Sequence, residues 1–313
     1  MNNNIRFGIA IPQFVADGTF DRDGMRDYLA RAEALGFDSA WTLEQVLGAG
    51  TPVLDPIATM TYAAACTERL RLGCAVFVTP LHNPAQLAKR LSSLDQLSRG
   101  RLEVGVGTGA EGRMFAAFGV GSGEVVGRFT EGLGLMKALW TEPAVTFRGR
   151  FWQLDNAAME PKPFQKPHPP IWFGGHHPAA LRRAVNHGDG FFGAGSSTTA
   201  EFAGYVPMVR QALVEIGRDP ATFGIAKRVY IVVDDDAERG RQRASHWLER
   251  IYGRAGLERW AVWGPPEACV RALREVAEAG AQLINLTPFG DLPEQREQME
   301  RLAADVIPGV TLG

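Results

Sequence analysis

Cysteine is scarce. Cys66, Cys74 and Cys269 are the only three in 313 residues. Their number is odd and their spacing long, which excludes a disulfide framework and a zinc-type motif. They read as reduced, buried thiols of a cytoplasmic protein. Lysine is scarce too, with 5 residues against 28 arginines, and the net charge is −2. The arginines are scattered among acids. No basic stripe for nucleic acid and no polybasic patch for an anionic membrane is present, so neither is expected as a partner. Long hydrophobic runs are missing as well: nothing approaches the ~18 apolar residues of a spanning helix. The apolar run at 5–11 is short and has no cleavage-like site, so no signal peptide is read there. No short-period repeat, low-complexity linker or nucleophile motif of the Ser-His-Asp or Cys-His kind stands out.

What is present is a 45% apolar chain, enough for a sizeable core. Its length suits one large domain, read here as a single domain over 1–313. Short β-rich runs fall at 5–11, 37–42, 71–78, 101–107, 170–175, 188–195, 224–233 and 281–288. Helical patterns lie between them at 22–35, 56–67, 84–98, 124–140, 177–187, 200–217, 235–253 and 265–279. Asp55-Pro56 and Asn83-Pro84 are helix starts, with a capping side chain followed by proline. Gly36, Gly188 and Gly280 sit where a left-handed C-cap is wanted. Eight mostly apolar strands separated by helices predict an α/β fold, a (β/α)8 TIM barrel. The runner-up is a doubly wound sheet, but no G-x-G-x-x-G follows the first strand. Residues 144–170 break the rhythm with a hairpin pattern around Arg148-Gly149 and a proline-rich crossing, an insertion between units four and five.

Barrel chemistry sits at the C-terminal ends of the strands. That selects Glu44 and Gln45 after strand two, Val76 to Pro80 and His82 after strand three, and Gly107 to Arg113 after strand four. Gly174 to His177 follow strand five. An acid such as Glu44 at a buried strand end is either a site residue or a partner for a backbone N–H; both readings stand. His176 and His177 are adjacent, so they point to opposite sides of an extended stretch, and no third ligand has helical spacing to them. No metal is expected. The same stretch opens a helix at Pro178, so it is either an anion site or a plain tight turn. Asp234-Asp235-Asp236 reads as a helix cap. The segment 253–264 is a candidate mobile lid.

LHNPAQLAKRLSSLDQLSRGRLEVGVGTG (81–109), GFDSAWTLEQ (36–45), PVLDPIATMTYAAACTERLRLG (52–73) and PKPFQKPHPPIWFGGHHPAALRRAVNHGDGFF (161–192) resemble the bacterial-luciferase-like flavin and deazaflavin oxidoreductases. They cover most of the chain in the family's order. The resemblance implies a TIM barrel, a homodimer through the helices after strands two and three, and FMN or coenzyme F420 at the barrel mouth. GVGTG followed by MFAAFG is similar to the F420-dependent branch, and the Asn-rich strand-four ending of the FMN branch is absent. A non-prolyl cis peptide at Ala75-Val76 is implied. Gly107, Thr108 and Gly109 would line the ring, and Gly174, Gly175, His176 and His177 would hold the phosphate. Glu44 and Gln45 would orient a small-molecule substrate, with Glu111 or His82 as acids. Gln45 stands where the family often has His, and an amide cannot shuttle a proton near neutral pH. Ala110 and Glu111 also depart from the family pattern. The expected reaction is hydride transfer between reduced F420 and an electron-poor C=C or C=N bond. The alternatives are an FMN-dependent monooxygenase and a non-catalytic flavin-binding barrel. A flavin-free barrel lyase is a third and more distant one.

Overall fold

The computed structural model describes residues 5–14, 19–47, 52–109 and 113–311, the side chains of Arg113 and Met114 apart. Eleven strands run in chain order. They are β1 (Arg6–Ala10), β2 (Ser39–Thr42), β3 (Arg71–Val78), β4 (Leu102–Gly107), β5 (Val145–Arg148), β6 (Gln153–Ala157), β7 (Ile171–Gly174), β8 (Gly190–Gly193), β9 (Gly224–Val233), β10 (Ala261–Gly264) and β11 (Leu283–Pro288). The helices that matter below are α1 (Arg22–Ala34), α2 (Pro56–Cys66), α3 (Pro84–Leu97), α4 (Arg113–Ala117), α5 (Val125–Thr141), α6 (Pro178–His187), α7 (Thr199–Glu215), α8 (Ala237–Tyr252), α9 (Pro266–Glu278) and α10 (Leu292–Arg301).

Eight parallel strands close on themselves. The order β9-β11-β1-β2-β3-β4-β7-β8 returns to β9 through the β8–β9 pairing. This is the expected TIM barrel. All eight strand runs and the eight helical patterns read from sequence correspond to elements. Strand β10 is the exception: it adds to the outside of β9 in parallel. The end of the 253–264 segment is therefore paired strand, and Glu258–Trp260 before it is a 3-10 turn. The insertion contains the antiparallel β5–β6 hairpin, as its alternating pattern required.

Helix starts follow the local chemistry. Asp55 accepts from the Ala58 N–H, and Asn83 accepts from the Ala85 and Gln86 N–H groups, each ahead of proline at the first helical position. Gly36 closes α1 with φ +84°, the conformation a side chain resists. Gly188 does not do this. Its φ is −111°, and a Cβ there would lie 2.6 Å from the Phe173 ring, so close packing is its constraint.

The barrel is filled. Trp41, Trp172 and Phe192 pack inside it with Ala226 and Leu283. Trp41 lies 4.6 Å from Phe192, centroid to centroid, and meets Trp172 edge-on at 6.3 Å. A Cβ at Gly73 would come within 2.3 Å of the Trp41 ring. With the interior packed, function is sought at the C-terminal mouth of the barrel. A second, larger core between barrel and helices runs from Phe7 to Val310.

Candidate active site

The site begins with an irregularity in β3. Its register against β4 shifts between Cys74 and Phe77, and the Ala75–Val76 peptide is cis. The Ala75 carbonyl accepts a 2.9 Å hydrogen bond from Arg228 Nη2, which also reaches the Thr42 carbonyl at 3.4 Å. The Val76 side chain stands between two glycines. A Cβ on Gly107 would lie 2.7 Å from Val76 Cγ2, and one on Gly174 would lie 2.9 Å from Cγ1. Both distances are well inside ordinary carbon contact. These glycines therefore make room for Val76, rather than directly for a flat ring.

Above this platform lies a cavity of about 400 Å³. Ala75, Val76, Gly107, Thr108, Gly109, Gly174, Gly175, His176 and His177 all line it. Sequence had assigned those nine to cofactor contact, and the fold brings them to one place. Phe192, Gly195, Ser196, Tyr230 and Tyr252 complete the far wall. At one end the N-terminus of α6 borders the cavity, its positive dipole end nearest; the Ala180 and Leu181 N–H groups of its first turn are taken by the His177 carbonyl. His177 caps that helix, its Nδ1 accepting from the Ala179 N–H at 3.3 Å. Arg183, one helical turn on, also lines the cavity. Glycine backbone on two strands, a helix N-terminus and a guanidinium at one end fit an elongated group with a flat body and an anionic tail. That is the shape of a flavin or deazaflavin.

The proposed polar residues fall elsewhere. Glu44 is almost fully buried, its side chain 2% exposed. Its carboxylate accepts from the Val78 N–H at 2.7 Å and lies 2.8 Å from His82 Nε2. The structure shows this acid as the partner of a backbone N–H. Glu44 pins the end of the irregular strand, and His82 steadies Glu44. Gln45 is half-buried. None of the three is among the residues that line this cavity. Glu111 and Ala110 lie outside the described residues. Among the described residues no cluster of three or more metal-ligating side chains occurs. Asp236 caps α8 through the Glu238 and Arg239 N–H groups, while Asp234 pairs with Arg239 and Arg243.

Sequence reasoning missed β9 as a source of site residues. Lys227 and Arg228 are adjacent and so project to opposite faces. Arg228 turns into the barrel mouth. Lys227 is buried against α7 and donates from Nζ to the Ala194 carbonyl, to the Ser197 carbonyl at 2.8 Å and to Ser197 Oγ at 2.9 Å. It thus holds the 194–197 loop that walls the cavity. Burial first, then the charge of Arg228, pushes Lys227 down to about 7. Two residues on, the Tyr230 and Tyr252 hydroxyls meet at 2.8 Å, and Tyr230 stacks on Phe289. Burial raises Tyr252, which keeps its proton at neutral pH. The available signal was a Lys-Arg pair inside an otherwise apolar strand, because charges in a buried strand need a purpose.

The luciferase-like monooxygenase family matches residues 5–283. The chain belongs to that family. Among luciferase-like relatives, it is 26% identical to an F420-dependent glucose-6-phosphate dehydrogenase of Intrasporangium calvum, over 91% of this chain and 93% of that one. It is 28% identical to an FMNH(2)-dependent dimethylsulfone monooxygenase of Pseudomonas putida, over 76% of this chain and 66% of that one. With two other curated relatives of higher identity the match spans about half their length, 46% and 54%. The solved structure of the monooxygenase RslO1 from Streptomyces bottropensis superimposes with a TM-score of 0.85 at 25% identity, covering 97% of this chain and 99% of that one. Luciferase-like oxidoreductases therefore include both F420- and FMN-dependent proteins similar to this one, and no described helix is long and apolar enough to cross a membrane.

Proposed function

We propose that this protein is an F420-dependent oxidoreductase. It moves a hydride between reduced F420 and a small organic substrate with an electron-poor C=C or C=N bond. The observation that carries the reading is the 400 Å³ cavity with its two unlike ends. One end is built from glycine backbone around Val76, and the other offers the α6 N-terminus and Arg183. The near-full-length similarity to an F420-dependent relative supports the same cofactor.

Bound in this cavity, the deazaflavin supplies the hydride. The chain supplies everything else. Val76, held from both sides, would support the ring. Thr108 and Gly109 would border it, and Gly174 to His177 with Arg183 would hold the phosphate. Arg228 fixes the Ala75 carbonyl and places a positive charge on the cavity wall. Gln45 cannot serve as proton donor, and His82 is engaged by Glu44. Among the hydroxyls that line the cavity, the Tyr230–Tyr252 pair, 2.8 Å apart, is the candidate proton donor of this reading. Glu111 is the second candidate acid.

The second reading is an FMN-dependent luciferase-like monooxygenase, favoured by the likeness to RslO1 and to the dimethylsulfone monooxygenase. The third is a non-catalytic flavin-binding barrel, favoured by Gln45. Reduced F420 is mixed with the protein and a panel of enones and imines, and recovery of the oxidised coenzyme's visible absorbance is followed. Substrate-dependent recovery is expected. Substrate oxygenation with reduced FMN and dioxygen, but no F420 turnover, would replace the first reading by the second. Tight cofactor binding without turnover of either kind would leave the third.

A further inference from the structure

The barrel interior holds a carboxylate that the proposed function does not use. Glu103, near the start of β4, has a side chain only 6% exposed. Taking a carboxylate out of water is costly unless its oxygens are matched. Both are. Oε2 accepts from the Trp172 indole N–H at 2.6 Å. Oε1 accepts from Arg71 Nε, and Arg71 Nη2 reaches Gln165 Oε1 at 3.3 Å in the proline-rich crossing. Gln165 is held in turn, its Nε2 donating to Asp95 Oδ1 at 2.8 Å. The carboxylate is therefore fixed from one side and fixes one indole on the other.

That indole has little else to hold it in register. Trp172 lies across two glycines. A Cβ on Gly190 would come within 2.4 Å of its Cε3, and one on Gly224 within 2.5 Å of its Cη2. Glycine makes room for the ring but offers no side chain to stop it sliding. An apolar residue at position 103 would fill space without fixing the ring's direction, whereas a short hydrogen bond to the N–H sets it. Phe192 meets Trp172 edge-on at 6.1 Å and Trp41 at 4.6 Å, and Ala75 packs on the same cluster. Phe192 and Ala75 also line the cavity of about 400 Å³. The top of the plug is thus the floor of the cavity.

We infer that Glu103 is a positioning residue for that floor. It holds Trp172, Trp172 sets Phe192 and Ala75, and these set the seat above them. Glu103 itself touches neither cofactor nor substrate. The inference rests on the proposed function for what occupies the cavity, while the position of the floor is measured without any cofactor.

The whole protein is labelled at its alanine and valine methyl groups. The Ala75 and Val76 resonances are followed by NMR, alongside fluorescence titrations of F420 and FMN. Glu103→Leu removes the acceptor. It is expected to shift both methyl resonances and to weaken cofactor binding about five- to tenfold, an ordinary size for coupling through packed side chains. Trp172→Phe removes the donor and should weaken binding to a similar degree. The double variant should lose less than the sum, since both changes break one bond. Glu103→Gln keeps an acceptor for the indole. It is expected to return the methyl positions and most of the affinity, although it melts lower without the Arg71 pair. Lower melting of the Glu103 variants with methyl positions and affinity unmoved would make Glu103 merely structural and overturn the inference. So would a Glu103→Gln protein as impaired as Glu103→Leu. Should Glu103→Leu fail to fold, Trp172→Phe against Glu103→Gln makes the same comparison by affinity. Shifted methyl resonances in a protein that binds neither cofactor would sink the proposed function and leave the positioning of the floor. Tight cofactor binding that no variant alters would do the reverse.

Discussion

Replacing Gly107 by alanine tests whether the glycines of the mouth serve Val76. The new methyl would sit 2.7 Å from Val76 Cγ2 and 3.6 Å from its Cβ. Ordinary carbon contact is about 3.5–4.0 Å, so one pair overlaps by roughly 1 Å. Val76 cannot turn away easily. Its β-branched side chain has few rotamers, and Cγ1 faces Gly174 on the other side. The overlap must be relieved by moving the valine, at the ~1–3 kcal/mol typical of overpacked sites. The direction open to it is upward, into the cavity. If the cofactor lies there, a displacement of about 2 kcal/mol lowers its affinity roughly 30-fold. The assay is a fluorescence titration of F420 and FMN against wild type, Gly107→Ala, Val76→Ala and the double variant. Removing the valine methyls removes the clash, so the double variant should bind like Val76→Ala alone. A 30-fold loss on Gly107→Ala that persists in the Val76→Ala background would refute the reasoning. No loss in either background would refute the placement of the cofactor over Val76.

Other consequences can be checked independently. Glu44→Ala leaves the Val78 N–H without its acceptor, a change of about 1–3 kcal/mol that thermal melting should register as a drop of several degrees. Glu44→Gln, which keeps an acceptor, should lose less. Arg183→Met should weaken cofactor binding about tenfold and flatten its salt dependence, because a charge-assisted contact to an anion is removed. For Lys227 the folded value is about 7 against an ordinary 10.5. Between those pH values the unfolded chain holds a proton that the folded chain lacks. Wild-type stability should therefore rise with pH across that window and stay level below it. Lys227→Met should lack that slope, and parallel melting curves for the two proteins from pH 7 to pH 10 would contradict it. The homodimer we expect through α2 and α3 should appear as twice the chain mass in light scattering, and a monomer at all concentrations would exclude it.

Much of the architecture was legible in the chain because buried parallel strands and amphipathic helices write different periods. Asp55-Pro56 and Asn83-Pro84 marked helix starts that the side-chain hydrogen bonds bear out. The β5–β6 hairpin was visible in its alternation. Strand β10 was not, since it adds to the outside of the barrel through a pairing with β9 that only tertiary contact sets. The glycine-rich strand ends pointed to the mouth, and family resemblance grouped nine residues that do line one cavity. Their neighbours could not be reached that way. Glu44 at a strand end reads equally as a site acid or a structural acceptor, and only the fold brings the Val78 N–H to it. Arg228, Tyr230 and Tyr252 come from β9 and the end of α8, far from any motif. Their convergence on the Ala75 carbonyl and the cavity wall is a product of barrel closure.

The most direct test of the central claim is equilibrium binding of F420 and FMN to the purified protein, followed by cofactor fluorescence. The account predicts saturable micromolar binding of F420, tighter than that of FMN, and weakened by Arg183→Met. Failure of both cofactors to bind at micromolar concentrations would contradict it.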